Sequence, residues 1–526
     1  MMLISDCLLS VRQFLIAQLL TRWLPVGLSL AIAACHGISA NESRSDSSSD
    51  LKKTTPHPNL KGVTLTVLSL TPGNGITEPI IDHAAQFEAL TEVEIKIITA
   101  PFDLLYQEIL NDFRRGIHNY DVVIIPPQWK ADYVRYGYLQ DLTKRVKTDS
   151  AIQWEDIAVF FREYHATYEG EVYAIPLDGE VLSLYYRSDI LEQQGIIPPQ
   201  TWDQYLDLAR KMDGQDLNND GEADYGSCLA RTPQANSRML WAVASSFLQT
   251  QGTQQGAFFD SDTMKPLVNN PAFIEALAIY KETATYGPKK PEDETLSVME
   301  IRSLFLSGRC ALTIDWGNLG TLAMKSDSPI KNQFGTAILP GSPKVLDRET
   351  GQFVTCNQSI CPYSEEGINY APYAALGGWV GTVNNDLPAK TLSAAYAFLS
   401  YMSQPEQSNL DVITSSTGFN PYRISQLTDR QSWIEAGMNK QLASQYLNAI
   451  YLSLNNPNIV LDLYIPQYEV YQQKILHPIL MDVLNNEISL SEAILQIESS
   501  WEKKTDELGR ESQRQAYCQS LKIECN

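Results

Sequence analysis

From residue 63 onward the hydrophobic positions switch between two periods. The run 63-VTLTVLSL-70 alternates apolar and polar side chains and breaks at 71-TPGNG-75. In 79-PIIDHAAQFEALTE-92 the apolar residues recur at helical spacing. The strand period returns in 93-VEIKIITA-100, the helical one in 103-DLLYQEILNDFRRG-116, and 121-DVVIIP-126 is a short apolar run. Strand, helix, strand, helix, strand at this spacing predicts a parallel sheet with helices on its faces. Such sheets hold ligands beyond the carboxyl ends of their strands, here 71-TPGNG-75, Pro101–Phe102 and 126-PPQW-129.

A second series follows. The stretch 170-GEVYAIPLDGEVLSLYYRSDIL-191 predicts two strands around a proline, and 200-QTWDQYLDLARKM-212 a helix with Thr201 near its N-cap. Further helices are predicted over 271–286 and 390–403, and the tail 425–513 is mostly helical. Neither an internal repeat nor a heptad is present.

The chain has 526 residues, of which 44% are hydrophobic and 19% charged, enough to bury a sizeable core in a two-lobed body or a few domains. Its formal net charge of -22, with no long Lys/Arg stripe, argues against nucleic acid as a partner.

Arg12 and Arg22 precede the apolar run 23-WLPVGLSLAIAA-34, which has the length of a signal-peptide core and is short for a membrane span. The residues Ile32-Ala33-Ala34-Cys35 match a lipobox, so 1–34 is expected to be a lipoprotein signal peptide and Cys35 the lipidated residue. The polar, Ser-rich stretch 40–62 has nothing to pack. It makes 35–59 a flexible tether, about twenty residues of coil spanning about 25 Å. Outside the cytoplasm, Cys228, Cys310, Cys356, Cys361, Cys518 and Cys525 can form disulfides. Cys356 with Cys361 and Cys518 with Cys525 are close enough for small loops and Cys228 with Cys310 would be the long-range pair, though the sequence alone leaves the connectivity open. The lack of any CxxC pair or accompanying histidine argues against zinc.

The stretch 216-DLNNDGEADYG-226 opens like a calcium loop, with oxygen ligands on Asp216, Asn218, Asp220 and Glu222 and a glycine, Gly221, at the turn. The predicted context is helix–loop–strand, and the twelfth position, Ser227, is not the bidentate glutamate of an EF-hand. The loop is therefore expected to be a turn held by Asx hydrogen bonds or a structural calcium site.

At 170–191 the residues resemble those of the family 1 extracellular solute-binding proteins of ABC transporters, the maltose-binding-protein class. Other blocks resemble the family in the same order: 120-YDVVIIPPQW-129, 137-GYLQDLT-143, 198-PPQTWDQYLDLARKM-212, 269-NNPAFIEALAIYKE-282, 303-SLFLSGRCALTIDWG-317, 376-LGGWVGTV-383, 416-STGFNPYRIS-425 and the helical block 464–502. The resemblance covers roughly 60–510. It implies an α/β, two-lobed periplasmic-binding-protein fold of type II, each lobe a mainly parallel sheet flanked by helices. It further implies a hinge of about three crossings, near 172–177, 374–379 and 418–423. Lobe one would comprise 60–174 with 377–420, lobe two 178–375 with 424–513, and 514–526 would be a C-terminal extension. The implied partners are a small carbohydrate and the membrane permease with its ATPase, the body being held at the membrane by the lipid anchor. No cofactor is required, structural calcium apart.

Sugars present apolar C–H faces to aromatic rings and hydroxyls to carboxylates, amides and arginine. Trp379, after the close-approach glycines Gly377 and Gly378, is where the family often stacks a sugar. Asp178 and Glu180 follow the first crossing and can accept hydroxyl hydrogen bonds. Trp316 matches a family aromatic on the lobe-two wall, and Trp129 ends a strand at the cleft. Asn74, Arg423 and Tyr468 complete the candidate set; for Arg423 the alternative is a hinge ion pair. An extracellular glycoside hydrolase would also need paired carboxylates, but no GxSxG, HExxH or GxxxxGK[ST] motif occurs, so no enzyme activity is expected. Polyamine, iron or peptide capture on the same scaffold is the other alternative. Service to a sensory partner would leave the binding chemistry unchanged.

Overall fold

The computed structural model describes residues 60–73, 75–289, 295–325 and 327–525. The expected signal peptide, Cys35, the tether and Asn74 lie outside the described residues. In chain order the principal strands are β1 Thr64–Leu70, β2 Glu94–Ala100, β3 Val122–Ile125, β4 Ala174–Pro176, β5 Ser183–Arg187, β6 Tyr225–Cys228, β7 Cys310–Asp315, β8 Phe334–Ala337 and β9 Val380–Val383.

They form two sheets. The first has the order β2-β1-β3-β9-β4, with β1 parallel to β2 and β3, and β9 antiparallel to β3 and β4. The second has the order β8-β5-β7-β6, with β6 parallel to β7 and β5 antiparallel to both of its neighbours. The burial of each strand follows its place. Central β3 is buried at every residue, as its unbroken VVII requires. Edge strand β2 exposes Glu94 and Lys96, charges that blunt an open sheet edge. The predicted helix around 200–212 is observed over Trp202–Met212, and the Thr201 hydroxyl accepts from the Gln204 amide at 3.3 Å, the N-cap its sequence calls for.

Three stretches of chain pass between the sheets. The first runs through 177–182, from β4 to β5, a few residues beyond the expected position, because Ala174–Pro176 is itself a strand of the first sheet. Proline is tolerated there because β4 lies at the sheet edge. The second runs through 375–379 into β9. The chain then returns to the first sheet along the helix Ala389–Ser403, where Phe398 and Tyr401 pack on Phe87 at 5.4 and 5.6 Å. The third, ahead of the short helix Ile424–Thr428, leads to the helix Lys440–Leu454, whose Tyr446 hydroxyl donates to the Gly317 carbonyl at 2.9 Å. A two-residue parallel ladder, Tyr373–Ala374 with Val460–Leu461, lies beside these crossings.

All three disulfides are formed. Cys228–Cys310 ties the end of β6 to the start of β7 over a sequence separation of 82, while Cys356–Cys361 and Cys518–Cys525 close loops with separations of 5 and 7. The terminal helix Arg510–Leu521 packs on the second lobe, where the Tyr517 hydroxyl accepts from the Phe258 and Phe259 amides at 3.2 and 3.4 Å.

Candidate ligand-binding site

The crossings are hydrogen-bonded to one another. The Leu177 amide donates to Trp379 O at 3.0 Å, Glu180 to Gly377 O at 3.3 Å, and Gly179 to Asn420 O at 3.3 Å. This weave demands glycine. Gly378 has φ +113°, and a Cβ there would lie 2.3 Å from the Asp178 carbonyl oxygen. At Gly377, φ +80°, a Cβ would fall 2.7 Å from both the His165 ring and the Tyr464 hydroxyl.

Two carboxylates project from the first crossing. Asp178, wholly buried, accepts through Oδ1 from the Asn420 amide at 2.5 Å and from Asn420 Nδ2 at 2.9 Å. Its Oδ2, Glu180 Oε2, Asn420 Oδ1 and the hydroxyl oxygens of Ser183 and Tyr464 are buried without a partner. Each such group costs about 1–3 kcal/mol, so several gathered at one junction mark a place built for a polar guest. Burial pushes the Asp178 carboxyl up to about 7. Burial, then repulsion from Asp178, raises Glu180 well above the usual carboxylate range, opposed by Arg238 and Arg302.

A pH dependence follows. Folded Asp178 holds its proton more tightly than the unfolded chain does, so its contribution to stability falls as pH rises from about 4 to about 7. A hydroxyl donor stabilises the charged form, so ligand affinity should rise across the same window, with Asp178→Asn flattening the profile. Titration calorimetry between pH 5 and pH 8 checks this; affinity independent of pH would count against a ligand-facing Asp178.

Aromatic rings flank the carboxylates. Phe102, just past β2, lies 6.2 Å from Trp379 and 5.6 Å from Trp129, so the strand ends of lobe one carry a continuous aromatic wall. From the other lobe Trp316, just past β7, donates its indole N–H to Ala375 O at 2.9 Å. Behind Trp316, Arg302 Nη2 reaches Asp315 Oδ1 at 2.6 Å and Asn318 Oδ1 at 2.7 Å. A second node joins both lobes: Asp462 accepts from Gln128 Nε2 at 3.1 Å, from the Tyr373 hydroxyl at 2.6 Å and from Arg238 Nε at 3.4 Å.

The structure thus brings Gly378, Trp379, Asp178, Glu180, Trp316 and Trp129 together at the lobe junction. Tyr468 is buried against Trp129. Arg423 is a correction: its guanidinium is fully buried and spent on Ile152 O at 2.8 Å, Asp156 Oδ2 at 3.2 Å, Ser408 Oγ at 3.1 Å and the Ser403 carbonyl. With its donors so committed it is a structural lock within lobe one. The acidic loop satisfies itself. Asp216 accepts from the Asp220 and Gly221 amides at 3.1 and 2.9 Å, Asn218 Nδ2 donates to Asp220 at 3.0 Å, and Glu222 pairs with Arg309 at 2.7 Å. Among the described residues no group of three or more His, Cys, Asp or Glu is placed to hold a metal.

His165, Arg238, Arg302, Asn420, Asp462 and Tyr464 escaped sequence reasoning. Their partners lie up to 334 positions away, and no short spacing announces them. The asparagine in 418-GFNPYR-423, beside an expected crossing, was the one available signal.

Two α/β lobes joined by three interlaced crossings, with tryptophans and carboxylates at the junction, define a binding protein of the two-lobed, type II class. The chain belongs to the bacterial extracellular solute-binding protein family, whose model matches residues 69–409. That is a transport family, not an enzyme class. It is 25% identical to the mannitol-binding protein of Pseudomonas aeruginosa over 257 residues, 48% of this chain and 55% of the relative. A putative binding protein of Brucella abortus is 23% identical over 256 residues, 48% of this chain and 56% of that one. The chain therefore spans a little over half the length of these curated relatives. The fold matches an ABC-transporter solute-binding protein of Agrobacterium radiobacter K84 in complex with ribitol at TM-score 0.66, with 21% identity, 85% of this chain and 100% of that chain covered. It matches maltose-bound MalE3 of T. maritima at TM-score 0.63, with 20% identity, 84% of this chain and 99% of that one covered.

Proposed function

We propose that this protein is the substrate-binding component of an ABC importer and captures a carbohydrate, a sugar or polyol, between its lobes for delivery to a membrane permease. The observation that carries the proposal is the cluster of buried, unpartnered oxygens on Asp178, Glu180, Ser183 and Asn420 beside Trp316 and Trp379. Hydroxyls satisfy such oxygens, and sugar C–H faces suit the rings. The relatives named for mannitol, ribitol and maltose support the same class of ligand. Polyamine capture is disfavoured, because burial pushes the carboxyls of Asp178 and Glu180 toward their uncharged forms, which attract a cation weakly. In this proposal the paired carboxylates hold hydroxyls and do not hydrolyse glycosidic bonds. Lipidation at Cys35 would hold the body at the envelope membrane.

A thermal-shift screen tests this on a chain beginning at residue 60, the first of the described residues. Its panel comprises mannitol, ribitol, glucose, maltose, maltotriose, spermidine, ferric citrate and calcium. A true ligand at a hundred times its Kd adds about 2.7 kcal/mol, a rise of a few degrees for a protein of this size. A response to spermidine or iron with none to any carbohydrate would overturn the proposal. Calcium, meeting a loop that already bonds its own amides, is expected to leave the melting temperature where it was.

A further inference from the structure

The helix Arg510–Leu521 spans the two lobes. Its second-lobe anchors are Tyr517 on the Phe258 and Phe259 amides and Arg510 Nη1 on Thr263 O at 3.2 Å. Toward the first lobe, Gln519 accepts from the Tyr168 hydroxyl at 2.8 Å and donates to Glu169 at 2.7 Å, while Lys522 pairs with Glu163. Cys518–Cys525 staples the turn that carries Lys522.

Beneath this helix lies a cavity of about 390 Å³, walled by Tyr164 and Tyr168 on one side and by Gln519 and Lys522 on the other. Gln128 and Tyr464 also line it. Gln128 is bonded to Asp462 through Nε2, its Oε1 and the Tyr464 hydroxyl have no partner, and both residues are more than nine-tenths buried. The cavity therefore adjoins the lobe-junction site through Gln128, which is bonded to Asp462, and through Tyr464, one of the residues of that junction.

We infer that this cavity is a second carbohydrate subsite, completed by the C-terminal helix, which takes the outer rings of an oligosaccharide whose first ring lies at Trp379 and Trp316. The inference rests on the carbohydrate function proposed above. The chemistry of the walls selects a neutral guest. Lys522 is neutralised by Glu163, and Lys130 Nζ is spent on the His165 and Thr167 carbonyls at 2.7 Å each. Two tyrosine rings supply faces for sugar C–H groups, and the Gln519 amide is held in place by its own two bonds. The volume falls within the usual range for ligand sites. Because the helix is anchored in one lobe and bonds the other, the outer wall draws on both lobes.

The test is titration calorimetry on the full chain with glucose, mannitol, maltose, maltotriose and cellotriose, for the wild type and for Gln519→Ala, Tyr164→Ala and Tyr168→Phe. Tyr168→Phe removes one hydroxyl and keeps the ring, so it remains informative if an alanine variant fails to fold. Expected is at least a tenfold tighter grip on a trisaccharide than on a single-ring ligand, reduced about tenfold by Tyr164→Ala or Gln519→Ala, while any single-ring binding changes less than twofold. If only single-ring ligands bind the wild type, or if the variants leave trisaccharide binding unchanged, the subsite is refuted and the importer function stands. Binding of none of the five would remove the carbohydrate function itself, and the subsite with it.

Discussion

Arg302→Ala is expected to destabilise the protein by about 3–5 kcal/mol, the usual cost of leaving one member of a buried ion pair alone. Arg302 and Asp315 are 7% and 2% exposed, and the guanidinium Nε lies 3.1 and 2.9 Å from the two carboxylate oxygens. Removing the arginine strands a charge at the end of β7. Asp315 also accepts the Trp316 amide at 2.7 Å, so the tryptophan at the lobe junction should shift with it and ligand affinity should fall as well. Replacing both partners, Arg302→Met with Asp315→Leu, should recover much of the stability but not the affinity, because the charge is removed while the support for Trp316 is not restored. Urea unfolding of Arg302→Ala and of the double variant reads the stability, and titration calorimetry of the same two proteins reads the affinity. A loss below about 1 kcal/mol for Arg302→Ala would mean that the pair is solvated in solution.

Gly378→Ala is the second large effect, and its character is different. The residue combines φ +113° with a Cβ position 2.3 Å from Asp178 O and 2.8 Å from Asp178 C, both backbone atoms that cannot swing aside. The left-handed conformation alone costs a β-carbon about 1–2 kcal/mol. The clash must further push the first crossing away from the second and displace Asp178 and Trp379 together. Ligand affinity is expected to drop at least about a hundredfold, equivalent to about 2.8 kcal/mol. Gly351→Ala is the matched control: φ is +69°, but nothing lies within 4 Å of its Cβ, so only the conformational cost remains and binding should be untouched. Equal ligand affinities for Gly378→Ala and the wild type would show that the crossings can separate without harm.

The pH profile of Asp178 is the subtler companion of these two. It follows from burial and not from any one contact, and it shows why the junction is costly to build. Carboxyls held away from water, short of partners, are maintained by the surrounding weave of crossings, a cost that the proposed hydroxylated guest would offset.

Much of this architecture was legible in the order of residues. Period-two and helical stretches around 63–126 predict a parallel sheet because alternation along a strand and recurrence along a helix each follow from backbone geometry, and β1, β2 and β3 appear where those periods place them. Thr201 could be assigned as an N-cap because capping is local. Gly377-Gly378-Trp379 and Asp178-x-Glu180 stand out because glycine freedom and paired acids are properties of a few adjacent residues. The cysteine pairs Cys356–Cys361 and Cys518–Cys525 were readable from short spacing for the same reason.

What only the tertiary structure decided is everything that depends on residues distant in the chain. Arg423 looked like a ligand contact from its place at a crossing, yet the turn at 152–156 and the end of the helix Ala389–Ser403 converge on it and consume its donors. Asp462 becomes a node only when Gln128, Arg238 and Tyr373 are folded around it. The stretch 514–526 reads only as a C-terminal extension, but packing sets the helix Arg510–Leu521 across both lobes and makes Gln519 and Lys522 a wall. Local order encodes backbone periodicity and turn chemistry, because these are satisfied within a few residues. The pairing of buried polar groups is a long-range constraint, and it becomes visible only once the chain has closed upon itself.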